Sequence, residues 1–296
     1  MTMPDGFAEC RAAVDRVLAR RLFFVGGFPK SGTTWVQRLL DAHPGIGCRG
    51  EGHLANRLAP ALAGALQRHN ALLANKQEHI FAGMPAFPEV SAAHARYVLV
   101  SAIALLLDAA HPGGKPAIGE KTPDNARHFA ALASLFPAAK FVHVVRDPRD
   151  CAVSAWFHNH RTNPAETLRR FPTLAAFARF TAHSWAESDA AAAAFIADHP
   201  GRCIEPRYED FLARPRQTLG PAVYFLGADA SPALVDACVR AADFATLSGG
   251  RARGEEDRAA FFRRGEAGDW RRHLSDAEGT EVKAIAGAAM ARHGYG

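Results

Sequence analysis

Residues 22–35 read LFFVGGFPKSGTTW, and no other stretch restricts the fold as strongly. The apolar run LFFV suits a buried strand, and VQRLLDAH after Trp35 keeps helical spacing. Between them lie a Gly-Gly-Phe-Pro turn and then Lys30, Ser31, Gly32, Thr33 and Thr34. A strand, a small-residue loop with a lysine, and a helix make a phosphate cradle. Loop amides and the helix N-terminus face the anion, Lys30 adds a full charge, and the hydroxyls add donors. The loop is not the G-x-x-x-x-G-K-[ST] triphosphate signature, because Lys30 precedes Gly32 and no Gly-Lys-Ser/Thr lies nearby.

A second apolar strand runs into a polar turn and a helix at 140–158, KFVHVVRDPRDCAVSAWFH. Arg146 and Ser154 stand eight residues apart within it. Arginine suits a terminal phosphate because its planar fork donates two parallel hydrogen bonds. An isolated RDPRD would read as a surface salt bridge from Arg146 to Asp147 or Asp150. The paired cradle reverses that preference and points to a ligand with two separate anionic groups.

These segments carry a resemblance. PKSGTTW resembles the 5′-phosphosulfate loop of sulfotransferases that use 3′-phosphoadenosine 5′-phosphosulfate (PAPS). Residues 140–158 resemble that family's 3′-phosphate segment, with Arg146 and Ser154 at its two key positions. RRGEAGDW at 263–270 resembles the family's Arg-Lys-Gly-x-x-Gly-Asp-Trp signature, with Arg264 where lysine is usual, which keeps the charge but changes the donor geometry. Together with RYEDFLARPRQTLGPAVYFLG at 207–227, the three motifs occur in the family's order and span most of the chain. The resemblance implies a P-loop-like α/β fold, PAPS as co-substrate and sulfuryl transfer to a hydroxyl or amine. Lys30, Ser31, Gly32, Thr33 and Thr34 then surround the 5′-phosphosulfate. Trp35, Tyr208 and Phe244 match adenine-side positions, and Arg263, Arg264 and Gly265 complete the cofactor-binding set. A packed tyrosine and a core phenylalanine are the plain readings of Tyr208 and Phe244. No metal is expected, since the leaving phosphate is already cradled and no metal-ligand spacing occurs.

The general base is the less defined part. Small-molecule sulfotransferases carry a histidine in a Lys-Thr-His strand end, and this chain has Lys121-Thr122-Pro123 there. GEKTP resembles instead a stretch of carbohydrate sulfotransferases whose glutamate is the base, which makes Glu120 the first candidate, with Lys121 near the sulfuryl group. DAHPGIGCRGEGH at 41–53 resembles a segment of tyrosylprotein sulfotransferases, which makes Glu51 the second and His53 the third. Against either glutamate stands a structural ion pair, such as Glu120 with Lys121 or Arg127. His143, His158 and His160 read as structural.

The remainder sets bounds. Alternating strands and helices indicate a central parallel sheet flanked by helices in one domain, 1–296, with no repeat or dividing linker. Expected elements are helices near 7–20, 54–75, 91–110 and 173–198, strands at KPAIGE and RCIEP, and a helix after Thr122, which caps it. Residues 244–262 read as a mobile loop. YVLVSAIALLLDAA at 97–110 falls short of the ~20 residues of a membrane span and reads as a buried helix. Net charge is +5 with no dense basic run, which disfavours nucleic acid and suits an anionic cofactor. Five scattered cysteines without C-x-x-C spacing, and no hydrophobic signal core, give the expectation of a reducing, cytoplasmic setting. Competing readings are a kinase-like P-loop enzyme and a nucleotide-binding module without catalysis. The acceptor is open among small molecules, carbohydrates, lipids and peptides, its pocket expected from 52–90 and 160–175. Oligomeric state is not readable.

Overall fold

The computed structural model describes residues 6–81, 84 and 87–296. Five parallel strands, β1 (Arg21–Gly27), β2 (Ile46–Gly50), β3 (Ala117–Lys121), β4 (Lys140–Val144) and β5 (Cys203–Ile204), form a sheet in the order β2-β3-β1-β4-β5. Helix α1 (Phe7–Leu18) precedes β1, and α2 (Thr33–Asp41) joins β1 to β2. Between β2 and β3 lie α3 (Ala59–His79) and α4 (Ala92–Ala110), and α5 (Phe129–Leu135) leads into β4. After β4 come α6 (Pro148–Thr162), α7 (Pro164–Arg170) and α8 (Leu174–Asp198). Following β5 are α9 (Tyr208–Ala213), α10 (Pro215–Phe225), α11 (Pro232–Ala241), α12 (Phe244–Ser248) and α13 (Asp276–Arg292).

The strand order decides where a ligand can sit. Central β1 has β3 on one side and β4 on the other, so the chain leaves β1 in opposite directions toward its neighbours. A crevice opens outside the C-terminal ends of strands at such a switch point. The Lys30 loop follows β1 and the Arg146 turn follows β4, so both cradles meet at this crevice.

Alternation along β1 sorts the core. Phe24 joins Val14, Val17, Phe129, Phe141 and Phe195 on one face, while Phe23 and Val25 join Trp35, Leu39, Leu40 and Phe211 on the other. Phe141 is fully buried, with ring centroids 4.9 Å from Phe129, 4.7 Å from Phe195 and 6.0 Å from Phe24. Phe141→Ala is therefore expected to lower stability by about 3–5 kcal/mol, as large-to-small core changes do. Urea unfolding measures this, and a loss below about 1 kcal/mol would show that the aromatic cluster does not hold the sheet.

Several expectations change. β2 was not anticipated: IGCRG is short and glycine-rich, and it becomes a strand by pairing with β3 from Ile46↔Ala117 to Gly50↔Lys121. The RCIEP strand shrinks to Cys203–Ile204 plus a bridge between Val145 and Arg207. The segment after Thr122 opens as a 3-10 helix, Pro123–His128, and Thr122 does not cap it: its hydroxyl oxygen accepts from His53 N–H at 3.2 Å while its proton goes to Glu120. Residues 244–262 include α12 and are tied to the motif that follows, with Gly254 N–H bonded to Arg264 O and Asp257 N–H to Arg263 O. The segment expected as a buried helix lies in α4, which is long and apolar enough to span a membrane by length and composition alone. It buries only Ile103, Ala104 and Leu107, against α1 and the sheet, and leaves Tyr97 65% exposed. None of the five cysteines is in a disulfide.

Candidate active site

At the crevice the Lys30 loop turns tightly. Lys30 itself has φ 71°, a left-handed conformation that costs a non-glycine residue on the order of 1–3 kcal/mol and concentrates at functional sites. Gly32 follows with φ 92°, and a Cβ there would lie 2.4 Å from the Tyr208 ring. Gly265, with φ 72°, admits the Phe244 ring in the same way, at 2.4 Å from where its Cβ would stand. Gly32 and Gly265 thus each make room for an aromatic side chain.

The two cradles are in contact. Arg146 Nη1 donates to Lys30 O at 3.1 Å and Nη2 to Glu266 O at 3.0 Å. Its guanidinium lies 4.3 Å from the centroid of the Tyr208 ring. The salt bridge weighed for Arg146 exists in part, to Asp150 at 3.7 Å. Asp150 has a further use: it accepts from Gly268 N–H at 2.7 Å and Trp270 N–H at 2.9 Å, fastening the RRGEAGDW segment to the start of α6. Burial raises the Asp150 carboxyl, and Arg146 with these two amides opposes that rise.

One cleft of about 860 Å³ is lined by Lys30, Gly32, Thr33, Thr34, Trp35, Glu51, His53, Arg146, Ser154, Tyr208, Phe244, Arg263, Arg264 and Gly265. Most of the sequence-derived candidates meet there. Trp35 packs edge-on to Tyr208 at 5.6 Å and donates from Nε1 to Ala242 O at 2.8 Å. Ser31 is fully buried beneath the loop, and its Oγ has no hydrogen-bond partner. Arg263 pairs with Glu256 and Asp269, and Arg264 pairs with Glu266 at 2.5 Å.

The base candidates separate. Glu120 is 4% exposed and does not line the cleft. Its oxygens accept from Gly52 N–H at 2.8 Å, Thr122 Oγ1 at 2.5 Å and Asn125 Nδ2 at 2.8 Å. Glu51 faces the cleft, with one oxygen 2.5 Å from Lys121 Nζ and the other 3.9 Å from His53 Nε2. Lys121, 2% exposed, also donates to Thr34 Oγ1 at 3.1 Å, joining Glu51 to the Lys30 loop. Burial, and then the guanidinium charges of Arg161 and Arg146, push Lys30 down to about 8.

Other residues enter that the motifs did not indicate. Arg253 lies 4.9 Å over Trp35 and 5.9 Å from the Phe244 ring. His158, read as structural, lines the cleft; burial and then Lys30 and Arg161 lower its imidazole. Phe28, Arg170, Phe171, Phe177, Phe180 and Phe261 form a further wall. Of the expected acceptor segments, 160–175 contributes Arg170 and Phe171, whereas 52–90 contributes only His53 among the described residues. The fold also gathers His143, Asp189 and Glu205 within 4.8 Å, a grouping no local spacing announced. These carboxylates are already paired, Asp189 with Arg292 at 2.6 Å and His293 at 2.7 Å, and Glu205 with His143 at 3.0 Å.

Known proteins share this plan. Protein-tyrosine sulfotransferase 1 of Danio rerio is 36% identical over 131 residues, covering 43% of this chain and 33% of that protein. Protein-tyrosine sulfotransferase 2 of Gallus gallus is 28% identical over 214 residues, 70% of this chain and 51% of its own length. The chain thus spans about a third to a half of these curated relatives. A mouse sulfotransferase complexed with PAP superposes with TM-score 0.57 at 18% identity, covering 95% of this chain and 88% of that one. The sulfotransferase domain of the Synechococcus PCC 7002 olefin synthase gives TM-score 0.54 at 20% identity, covering 91% and 94%. Both likenesses concern the fold. The sequence profile of the sulfotransferase family matches residues 23–232, more than two thirds of the chain, and the protein belongs to that family.

Proposed function

We propose that the protein transfers the sulfuryl group of PAPS to a hydroxyl or amine acceptor by in-line displacement, with Glu51 as general base. The observation that carries this reading is the joining of two anion cradles, through the Arg146–Lys30 hydrogen bond, within one cleft that also presents a carboxylate. The residues suit a nucleotide bearing two anionic groups. Arg146 Nε and Ser31 Oγ are buried polar atoms without partners, and Trp35, Tyr208 and Phe244 supply aromatic surface for a base.

In this mechanism the acceptor oxygen or nitrogen forms a bond to sulfur while the bond from sulfur to the 5′-phosphate oxygen breaks. The electron pair leaves with the phosphate, and the acceptor proton goes to Glu51. Lys30 balances charge that grows on the departing oxygen, a role in which a preplaced cation acts chiefly on the transition state. Lys121 holds Glu51 in place by donating to it, and donates as well to Thr34 of the Lys30 loop. Glu120, enclosed by three donors, supports the chain around Gly52 instead. A reducing, cytoplasmic setting belongs to the same reading, supported by five unpaired cysteines.

Calorimetry with 3′-phosphoadenosine 5′-phosphate (PAP), beside ADP and ATP with magnesium, tests the nucleotide. PAP is expected to bind at least tenfold tighter than ADP, and Arg146→Ala is expected to erase that preference, since a charge-assisted contact to the 3′-phosphate is worth about 1.5–3 kcal/mol. Equal binding of ADP, or preference for ATP with magnesium, would replace this reading with the kinase-like one.

A further inference from the structure

The wall of the cleft opposite the nucleotide motifs has its own chemistry, and the inference drawn from it rests on the sulfotransferase reading above. Phe171, which follows α7, stands 5.1 Å from Phe177 and 5.0 Å from Phe180 of α8, so the three rings form a continuous aromatic surface. Phe261 lines the same cleft beside the Lys30 loop, with Lys30 Nζ 4.8 Å from its ring centroid. Arg170 sits beside the wall, its guanidinium 5.3 Å from the Phe171 ring and 5.9 Å from Phe180.

The charges on this side are unbalanced. Neighbouring Arg169 is paired with Glu166 at 2.7 Å, but Arg170 has no carboxylate within 4.0 Å among the described residues. Arg161 has none either and is bonded only to the His158 ring, at 3.0 Å. The carboxylates lining the acceptor side are engaged: Glu51 by Lys121, and Asp124 by Asn56 at 3.0 Å and His128 at 3.4 Å. A planar apolar wall ending in an unpaired guanidinium recognises a ring that bears an anion. Arginine adds a rigid fork matched to a carboxylate.

Size narrows the class. A cleft of about 860 Å³ lies toward the top of the ~300–1,000 Å³ range of single-ligand pockets. That range is one of small-molecule pockets, which suits a small acceptor beside a nucleotide.

We propose that the acceptor is a small aromatic hydroxyl compound carrying a carboxylate, its ring against Phe171, Phe177, Phe180 and Phe261 and its carboxylate on Arg170, which makes Arg170 a specificity-determining residue. The hydroxyl oxygen takes the sulfuryl group, its proton passes to Glu51, and the acid group stays unchanged.

The test compares initial rates, with PAPS as donor, for 3-(4-hydroxyphenyl)propanoate, its primary amide, and a short peptide holding one tyrosine between glutamates. The wild-type protein is expected to favour the acid over the amide by about 10–100-fold in kcat/KM, the range of a charge-assisted hydrogen bond. Arg170→Gln should bring the ratio close to one through a higher KM for the acid, and Arg170→Lys should restore part of it. Thermal unfolding of each variant, unchanged for an exposed side chain, confirms an intact fold. The proposal is overturned if the amide matches the acid, if Arg170→Gln leaves the ratio intact, or if the peptide is the best of the three. It is also overturned if none is sulfated while PAP still binds, in which case the nucleotide reading stands. Failure to bind PAP overturns both.

Discussion

Lys30→Met is expected to reduce sulfuryl transfer by about 10²–10³-fold in kcat, the effect of removing one preplaced group from a developing negative charge. The same substitution reports on binding through protons. Free Lys30 titrates at about 8 because it is partly buried and faces Arg161 and Arg146. A bound phosphate favours its charged form and moves that value up. Below pH 8 the lysine is already protonated and this group adds no pH dependence. Above pH 8 the free protein has lost the proton that the complex retains, so binding must take one up. PAP affinity is therefore expected to fall as pH rises through 8, approaching a tenfold loss per unit. Calorimetry at pH 9, in two buffers of different ionisation heat, measures the uptake. Close to one proton is expected for the wild type and none for Lys30→Met. Equal uptake in both proteins would remove Lys30 from the phosphate site.

Glu51→Gln and Glu120→Gln should fail in different ways. Loss of a general base costs about 10²–10⁴-fold in rate, and Glu51→Gln is expected to show it in kcat while PAP binds with its usual affinity. Glu120 accepts hydrogen bonds from Gly52, Thr122 and Asn125, and its amide counterpart leaves at least one buried donor facing another donor. That substitution should lower stability by about 1–3 kcal/mol, read by urea unfolding, with a much smaller change in kcat at a temperature where the protein is folded. Should Glu120→Gln abolish transfer in a stable protein while Glu51→Gln does not, the assignment of the base is reversed.

Residues whose role rests on local geometry were legible before any fold was known. Lys30 to Trp35 belong to one strand-loop-helix unit, and Arg146 and Ser154 to another, so spacing along the chain already groups the side chains of each unit. The helices at 92–110 and 174–198 were legible from their apolar spacing, although not how little of the first would be buried. IGCRG was missed as a strand because its own residues hardly favour one, and its conformation comes from the neighbour it pairs with.

The order of the base candidates depended on contacts that no motif contains. Gly50 pairs with Lys121 and Arg49 with Glu120, so register between two strands brings Lys121 to Glu51. Successive side chains of a strand point to opposite faces, which takes Glu120 away from the cleft that Lys121 supports. Arg170 and Phe261 are likewise far apart in the chain and meet one cleft only after α7, α8 and the segment before Arg263 have packed. The sequence by itself determined which phosphate chemistry the chain is built for, because a cradle is made within a few consecutive residues. Tertiary structure decided which carboxylate faces the cleft and which side chains wall it, because those neighbours arise from strand register and helix packing across long separations.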